Sequence, residues 1–210
     1  VSILMPVFNT PAPFLRASIG GILRQTHPSF ELVIADDHSN ATTVSVIKEI
    51  IEGHEDRACM IRRSENGGTA RALDTAIQNA DPDADLYCCA ASDDAYHWTW
   101  IDRRVNFMKN LPPQVAIVYE DYQLMADYAF DPRTWGPVIG SDGKPIMRPH
   151  VIPIHLPDYD YRSLLVNNFI PGVSMWRASV YDKIPRTFLY DGYDEIANRH
   201  AENPAGRCIE

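Results

Sequence analysis

Two pairs of adjacent carboxylates, Asp36-Asp37 and Asp93-Asp94, each follow directly on an apolar run, over residues 30–35 and 84–91. A buried strand that stops at paired acids holds them at the edge of a sheet. There they can bind a hard divalent cation and, through it, a phosphate. Two strands delivering acid pairs to one edge predict a site for a nucleotide and a metal ion, with Asp93 and Asp94 as ligand candidates. Each acid also has a plainer use, as a solvated loop carboxylate, an Asx turn or a helix N-cap.

The elements that must position these acids alternate along the first part of the chain. Residues 1–7 are β-branched and apolar and stop at Pro6 and Asn9, which reads as a strand. Leu15, Ile19, Ile22 and Leu23 have helical spacing over 14–25, with Pro11 and Pro13 before or at its first turn. A strand over 31–35, a helix over 42–52 capped near Thr42 or Thr43, and a weak strand over 58–62 follow. After the Asn66-Gly67-Gly68 turn come an Ala-rich helix over 69–80, a strand over 86–91, a helix over 98–110 and a strand over 115–119. This rhythm predicts a mostly parallel α/β sheet flanked by helices. Right-handed crossovers bring the C-terminal ends of such strands to one side, where ligands bind. Asn9, Asp37, Asn66 and Asp93 all follow strand ends and should line one crevice.

The pattern breaks after about residue 125. The expectation is a nucleotide-binding half over 1–125 and an irregular second half over 126–210, within a single domain. The second half begins with a Pro-, Gly- and Asp-rich excursion over 126–160, too long for an ordinary loop. A helical turn over 161–166, a strand over 171–177 and a short helix over 178–183 are expected beyond it.

With 45% hydrophobic and 22% charged residues in 210, the chain can bury one sizeable core. Its net charge of −9 and the lack of a Lys/Arg run argue against a nucleic-acid partner. Cys59, Cys88, Cys89 and Cys208 lack metal-ligand spacing and read as buried free thiols of a reducing compartment. With no apolar run of membrane-spanning length and no visible leader, the expected location is cytoplasmic. Val1 opens directly on a strand without Met, as in a piece of a longer protein.

At this point the residues resemble a family. Val-Ser-Ile-Leu-Met-Pro-Val-Phe-Asn (1–9), Gln25-Thr26, Phe-Glu-Leu-Val-Ile-Ala-Asp-Asp-His-Ser (30–39), Asn66-Gly67-Gly68 with Ala70-Arg71, and Ala91-Ser92-Asp93-Asp94 are similar, in order and interval, to landmarks of the family 2 glycosyltransferases. The resemblance covers roughly residues 1–120 and thins beyond 125. It implies a GT-A fold, a Rossmann-like nucleotide half followed by an acceptor half. It further implies inverting transfer of a sugar from a nucleotide-sugar donor, usually with Mg²⁺ or Mn²⁺. Many relatives carry an acid where this chain has Ala91, so metal binding falls chiefly on Asp94, with Asp93 nearer the ribose or sugar.

The resemblance also assigns the rest of the site. Asp37 accepts a hydrogen bond from the base, taken as the N3–H of uracil, since a carboxylate can accept but not donate. Pro6, Val7 and Phe8 form the floor under the base, with Asn9 at the strand end. Gly67 permits close backbone approach, and Arg71, one helical turn on, reaches the uracil or the diphosphate. The catalytic base, which removes the acceptor hydroxyl proton, is sought in Tyr-Asp-Gly-Tyr-Asp-Glu (190–195): Asp194 first, then Asp191 and Glu195, with Arg199 following. His97, His150, His155 and His200 show no selecting pattern, and Trp98, Trp100, Trp135 and Trp176 default to packing. The expected donor is a UDP-sugar and the acceptor a glycan or lipid-linked glycan, with peripheral association at the inner membrane face left open. The rivals are a sugar-phosphate nucleotidyltransferase, disfavoured because the loop after the first strand lacks glycine, and a nucleotide-binding module without activity.

Overall fold

The computed structural model describes residues 1–131, 136–156, 158 and 173–183. The chain divides into two compact units, one containing Val1–Tyr119 and the described residues 173–183, the other containing the described residues between 120 and 158.

The first unit is built on a six-stranded sheet. Its strands are β1 (Ser2–Val7), β2 (Glu31–Asp36), β3 (Ala58–Arg62), β4 (Leu86–Cys89), β5 (Ile117–Val118) and the late strand β10 (Met175–Arg177), in the order β3-β2-β1-β4-β10-β5. β1 pairs in parallel with β2 and β4, and β2 with β3, whereas β10 runs antiparallel to both neighbours. The helices are α1 (Ala12–Leu23), α2 (Ala41–Ile51), α3 (Gly68–Gln78) and α4 (Trp100–Lys109), with a 3₁₀ helix over Ala178–Lys183.

Near-continuous apolar strands are what a sheet covered on both faces requires. Ile3, Met5, Leu32, Ile34 and Cys88 pack with Ile19 of α1, Ile47 of α2 and Ile101 of α4 on one face. Leu4, Val33, Ala35 and Tyr87 pack on the other against Ala72, Ala76 and Ile77 of α3. Each fully buried aliphatic side chain here is worth about 1.5–3 kcal/mol relative to exposure.

Several boundaries differ from the sequence expectation, each for a local reason. The helix expected over 14–25 starts at Ala12, with Pro13 tolerated in the first turn, where no intrahelical donor is needed. α2 is capped by Asn40, whose side chain accepts from Thr43 N at 3.0 Å, and not by Thr42 or Thr43. β4 ends at Cys89 and β5 contains only two residues.

The insertion of β10 between β4 and β5 was not predicted. Arg177 holds it there, donating through Nε to Val115 O at 2.9 Å and through one terminal nitrogen to Met108 O in the last turn of α4 and to Leu111 O just after it. Cationic side chains commonly satisfy carbonyls at a helix C-terminus. Arg104 of α4, only 5% exposed, donates to Cys88 Sγ at 3.2 Å and to Val173 O at 2.8 Å, with its guanidinium 4.4 Å from the Trp100 ring centre. Arg104→Ala is expected to cost about 2–4 kcal/mol in urea unfolding, because it combines a cavity with an orphaned carbonyl. Arg104→Met should recover the packing share alone. A loss below about 1 kcal/mol, the net worth of one ordinary hydrogen bond, would show that Arg104 does not pin this region.

In the second unit, β6 (Tyr122–Tyr128) pairs antiparallel with β9 (Met147–Ile154), and β7 (Phe130–Asp131) pairs with β8 (Gly136–Pro137). The excursion expected to lack regular structure therefore contains a β-ribbon. Its periodicity is hidden because apolar residues occupy the exposed face as well: Met125, Met147 and Val151 are more than half exposed, whereas Leu124, Ala126 and Ile152 on the other face are half-buried. Asp121 clamps the open end of the ribbon, accepting from Leu156 N at 2.7 Å and meeting His155 Nδ1 at 2.8 Å. These bonds hold its carboxyl below the usual carboxylate range. Asp191, Asp194, Glu195, Arg199, His200, Cys208, Trp135 and the turn expected over 161–166 lie outside the described residues.

Candidate active site

The strand order reverses between β1 and β4. The chain steps outward from β1 to β3, and the α3 crossover then returns it to the far side of β1. Open α/β sheets bind ligands at such a reversal, beyond the carboxyl ends of the strands. Onto this rim the fold brings residues 8–10 after β1, 37–40 after β2, 63–67 after β3 and 90–95 after β4.

Hydrogen bonds between residues distant in sequence stitch the rim together. Asp37 N donates to Val7 O at 2.8 Å, and Asn9 N donates to Ser39 Oγ at 2.9 Å. Asn9 Oδ1 accepts from both Asn40 N and Asn40 Nδ2 at 2.8 Å. Across the reversal itself, Thr10 Oγ1 and Ser92 Oγ lie 2.7 Å apart. Two rim residues adopt left-handed backbone, Asn9 at φ 52° and His38 at φ 65°. For His38 this is a strained conformation, of order 1–3 kcal/mol. Asp36 holds that turn: its Oδ1 accepts from Ser39 N at 3.1 Å, while Arg62 donates to Ser39 O at 2.9 Å. The other Asp36 oxygen has no hydrogen-bond donor among the described residues and lies 3.6 Å from Arg62 Nε. Fully buried, Asp36 shapes the turn from within.

Asp37 points to the opposite face and caps α3. Its carboxylate accepts from Gly67 N at 3.0 and 3.2 Å and from Gly68 N at 2.8 Å, where Gly68 takes φ +81°. A charge here meets the positive end of the helix dipole. Arg63 Nε lies 2.8 Å from Asp37 Oδ1, but its N–H is poorly aligned, so the contact is ionic in character. Arg63 is fixed in turn by donating to Arg71 O at 3.1 Å and to Thr75 Oγ1 at 2.7 Å. Asp37 is 2% exposed. With about four acceptor positions on a carboxylate, the protein itself fills most of them. Sequence reasoning missed Arg63; a basic residue closing β3 just before Asn66-Gly67-Gly68 was the only signal available.

Asp93 and Asp94 are exposed on the loop after β4. Partial desolvation, and secondly the neighbouring Asp93 charge, push the Asp94 carboxyl above its ordinary range. Phe8 is half exposed and Pro6 half-buried, whereas Val7 is 1% exposed in the core, which leaves its backbone as the part facing the rim. Arg71 lies in the first turn of α3. A shallow groove of about 260 Å³ beside the rim is lined by Asn9, Thr10, Ala12, Asn40, Thr43 and Val46, and none of the four acids lines it. Among the described residues, no helix is long and apolar enough to cross a membrane.

The mainly parallel sheet flanked by helices has the GT-A fold, an architecture it shares with solved glycosyltransferases. The chain belongs to glycosyl transferase family 2, whose family model matches residues 2–182. Over 125 residues it is 30% identical to the uncharacterized glycosyltransferase RP339 of Rickettsia prowazekii, covering 60% of this chain and 37% of that protein. Over 125 residues it is 26% identical to the UDP-Glc:alpha-D-GlcNAc-diphosphoundecaprenol beta-1,3-glucosyltransferase WfgD of Escherichia coli, covering 60% and 46%. Among solved structures, the mannosyltransferase PcManGT of Pyrobaculum calidifontis in complex with GDP-Man and Mn²⁺ superposes with a TM-score of 0.51 at 22% identity, covering 64% of this chain and 36% of that one. The S. aureus TarS 1-349 fragment superposes with a TM-score of 0.54 at 12% identity, covering 88% and 50%. These likenesses in structure concern the fold, and the chain spans half or less of each of these proteins.

Proposed function

We propose that this chain is the donor-binding part of an inverting glycosyltransferase that moves a sugar from a UDP-sugar to an acceptor hydroxyl during assembly of a polysaccharide or lipid-linked glycan. The observation that carries this reading is the joining of four loops at one rim, with Thr10–Ser92 and Asp37–Gly67 as the bonds between them. Family membership and the resemblance of the chain to WfgD support the chemistry and the class of acceptor.

The residues present fit a divalent cation. Asp93 and Asp94 repel each other, and a cation relieves that repulsion. Among the described residues no cluster of three or more His, Cys, Asp or Glu could hold an ion. Two carboxylates alone would leave the coordination of Mg²⁺ or Mn²⁺ to be completed by phosphate oxygens and water. Bound there, chiefly through Asp94, the ion would neutralise charge on the departing nucleoside diphosphate.

The chain's own residues do the rest. Asp37 fixes the Gly67-Gly68 turn and offers its remaining acceptor position to the N3–H of the base, a choice that selects an imide ring. Phe8 supplies an exposed ring against the base, with Pro6, the Val7 backbone and Asn9 beside it. Arg71 serves the uracil or the diphosphate. Asp194 is assigned as the base that takes the acceptor proton, with Asp191 and Glu195 as its alternatives, on resemblance alone.

Calorimetric titration with UDP, CDP and GDP, each with and without Mn²⁺, followed by a donor-hydrolysis assay, tests the reading. UDP should bind best, and Mn²⁺ should tighten it by roughly tenfold or more, about 1.4 kcal/mol. Equal affinity for UDP and CDP would remove Asp37 from base recognition. Metal-tightened binding without turnover of any donor would leave a nucleotide-binding module, and release of inorganic diphosphate from UTP and a sugar 1-phosphate in a parallel assay would indicate a nucleotidyltransferase.

A further inference from the structure

The loop that carries Asp93 and Asp94 is exposed at its tip, yet the backbone on both sides of the tip is held almost atom by atom. On the approach, Ala91 O accepts two hydroxyl hydrogen bonds, from Ser18 Oγ at 2.8 Å and from Tyr96 OH at 2.9 Å. Ser92 Oγ is tied to Thr10. On the departure, Gln25 Nε2 donates to His97 O at 2.7 Å, Thr26 N donates to Trp98 O at 2.8 Å, and Gln25 Oε1 accepts from Ile101 N at 2.9 Å. Between these ties α1 comes so close that a Cβ on Gly21 would lie 3.1 Å from Tyr96 O.

Ser18, Gly21, Gln25 and Thr26 lie at intervals of three, four and one along α1 and the residues just after it, so the first three form one face. Ser18 is fully buried and Gln25 is 7% exposed. A buried hydroxyl or amide costs free energy unless it is bonded. Both are bonded to the backbone of the acid loop, and both sit more than seventy residues away from it in sequence.

We propose that this face of α1, together with the Tyr96 hydroxyl, is the template that presets the acid loop, and that Ser18 and Tyr96 are positioning residues for the cation held by Asp93 and Asp94. The inference rests on the cation-binding reading above. A carbonyl has two lone pairs, and Ala91 O uses both on these hydroxyls, one from α1 and one from beyond the acids. The Tyr96 bond closes a six-residue loop, Ala91 to Tyr96, around Ser92-Asp93-Asp94-Ala95, and the Ser18 bond fastens that loop to α1. Two adjacent carboxylates repel, and the loop would relax by splaying them. Fixing both ends removes that freedom before the ion arrives, so less ordering accompanies binding.

Ser18→Ala, Tyr96→Phe and the double variant test this. Each single change leaves one donor on Ala91 O and should alter Mn²⁺-dependent tightening of UDP by no more than about twofold, with the double variant losing nearly all of it, roughly tenfold. UDP affinity without Mn²⁺ should stay within about twofold in all three, because the base and the Gly67-Gly68 turn are untouched. Amide hydrogen exchange over 92–98 should rise in the double variant while β1 and β2 stay protected. Unchanged Mn²⁺ tightening in the double variant, additive single effects, or unchanged exchange over 92–98 would overturn the proposal. Loss of UDP affinity with and without Mn²⁺ alike would overturn it too, since that marks general damage. If the wild-type chain itself shows no Mn²⁺ effect, the cation-binding reading fails and takes this one with it, an outcome distinct from a wild-type effect that survives both substitutions.

Discussion

Asp94→Ala is expected to lower sugar transfer by about a thousandfold, equivalent to about 4 kcal/mol at the transition state, without weakening the fold. The stability half of this expectation follows from sign. The carboxyl of Asp94 titrates above its ordinary range because of partial desolvation and the Asp93 charge. For an acid whose folded value is raised, the ionised form is less favourable in the folded chain than in the unfolded one. That cost is complete above the raised value and vanishes where the group is protonated in both states. Removing Asp94 therefore leaves the melting temperature unchanged or slightly higher at neutral pH, with the gain disappearing in acid. The effect is small because the residue is exposed and its field is screened. A donor-turnover assay and calorimetric melting measured side by side would decide the matter. Retained turnover would remove the metal role, and a large fall in melting temperature would make Asp94 structural.

Asp37→Ala is expected to act in the opposite way, on the fold first. The substitution leaves Gly67 N, Gly68 N and the Arg63 guanidinium without their shared partner in a buried place. Breaking one side of a buried charged contact costs about 3–5 kcal/mol. For a chain of this size that corresponds to a fall of roughly 10 °C in melting temperature. Asp37→Asn keeps an acceptor for the glycine amides but leaves Arg63 without its countercharge, so it should fall between the two. UDP affinity should drop in both variants, since the turn beside the base loses its anchor. A melting curve identical to wild type for Asp37→Ala would show that the α3 cap does not stabilise the fold.

The contrast between the two acids also marks how far the sequence could be read. Apolar runs ending in Asp36-Asp37 and Asp93-Asp94 identified β2 and β4 and the rim where they stop, because strand periodicity and chain-terminating acids are local signals. Helical spacing found the four α-helices among the described residues to within a few residues, and the errors lay at the ends, where Asn40 and Pro13 decide the first turn. The ribbon of β6 and β9 gave no signal, since exposed Met125 and Val151 interrupt the alternation that marks a half-buried strand. At the site, residue type showed that Asp37 could accept hydrogen bonds, but not that two glycine amides thirty residues away supply them. Ser18 reads in the sequence as an ordinary helix residue and Gln25 as a family landmark without an assigned role; the acid loop that both hold is visible only in the structure.

By itself, then, the sequence determined what depends on neighbours: the α/β alternation, the acids at the strand ends, the family landmarks and the class of chemistry they imply. The tertiary structure alone decided what depends on partners far along the chain. It reversed β10 and set it between β4 and β5, turned Asp36 inward to a backbone turn, made Asp37 the cap of α3, and fastened the Asp93-Asp94 loop to α1. The physical reason is that hydrogen bonds and ion pairs bridging thirty to eighty residues are selected by the packing of the whole core. A short stretch of sequence shows only which groups are available to make them.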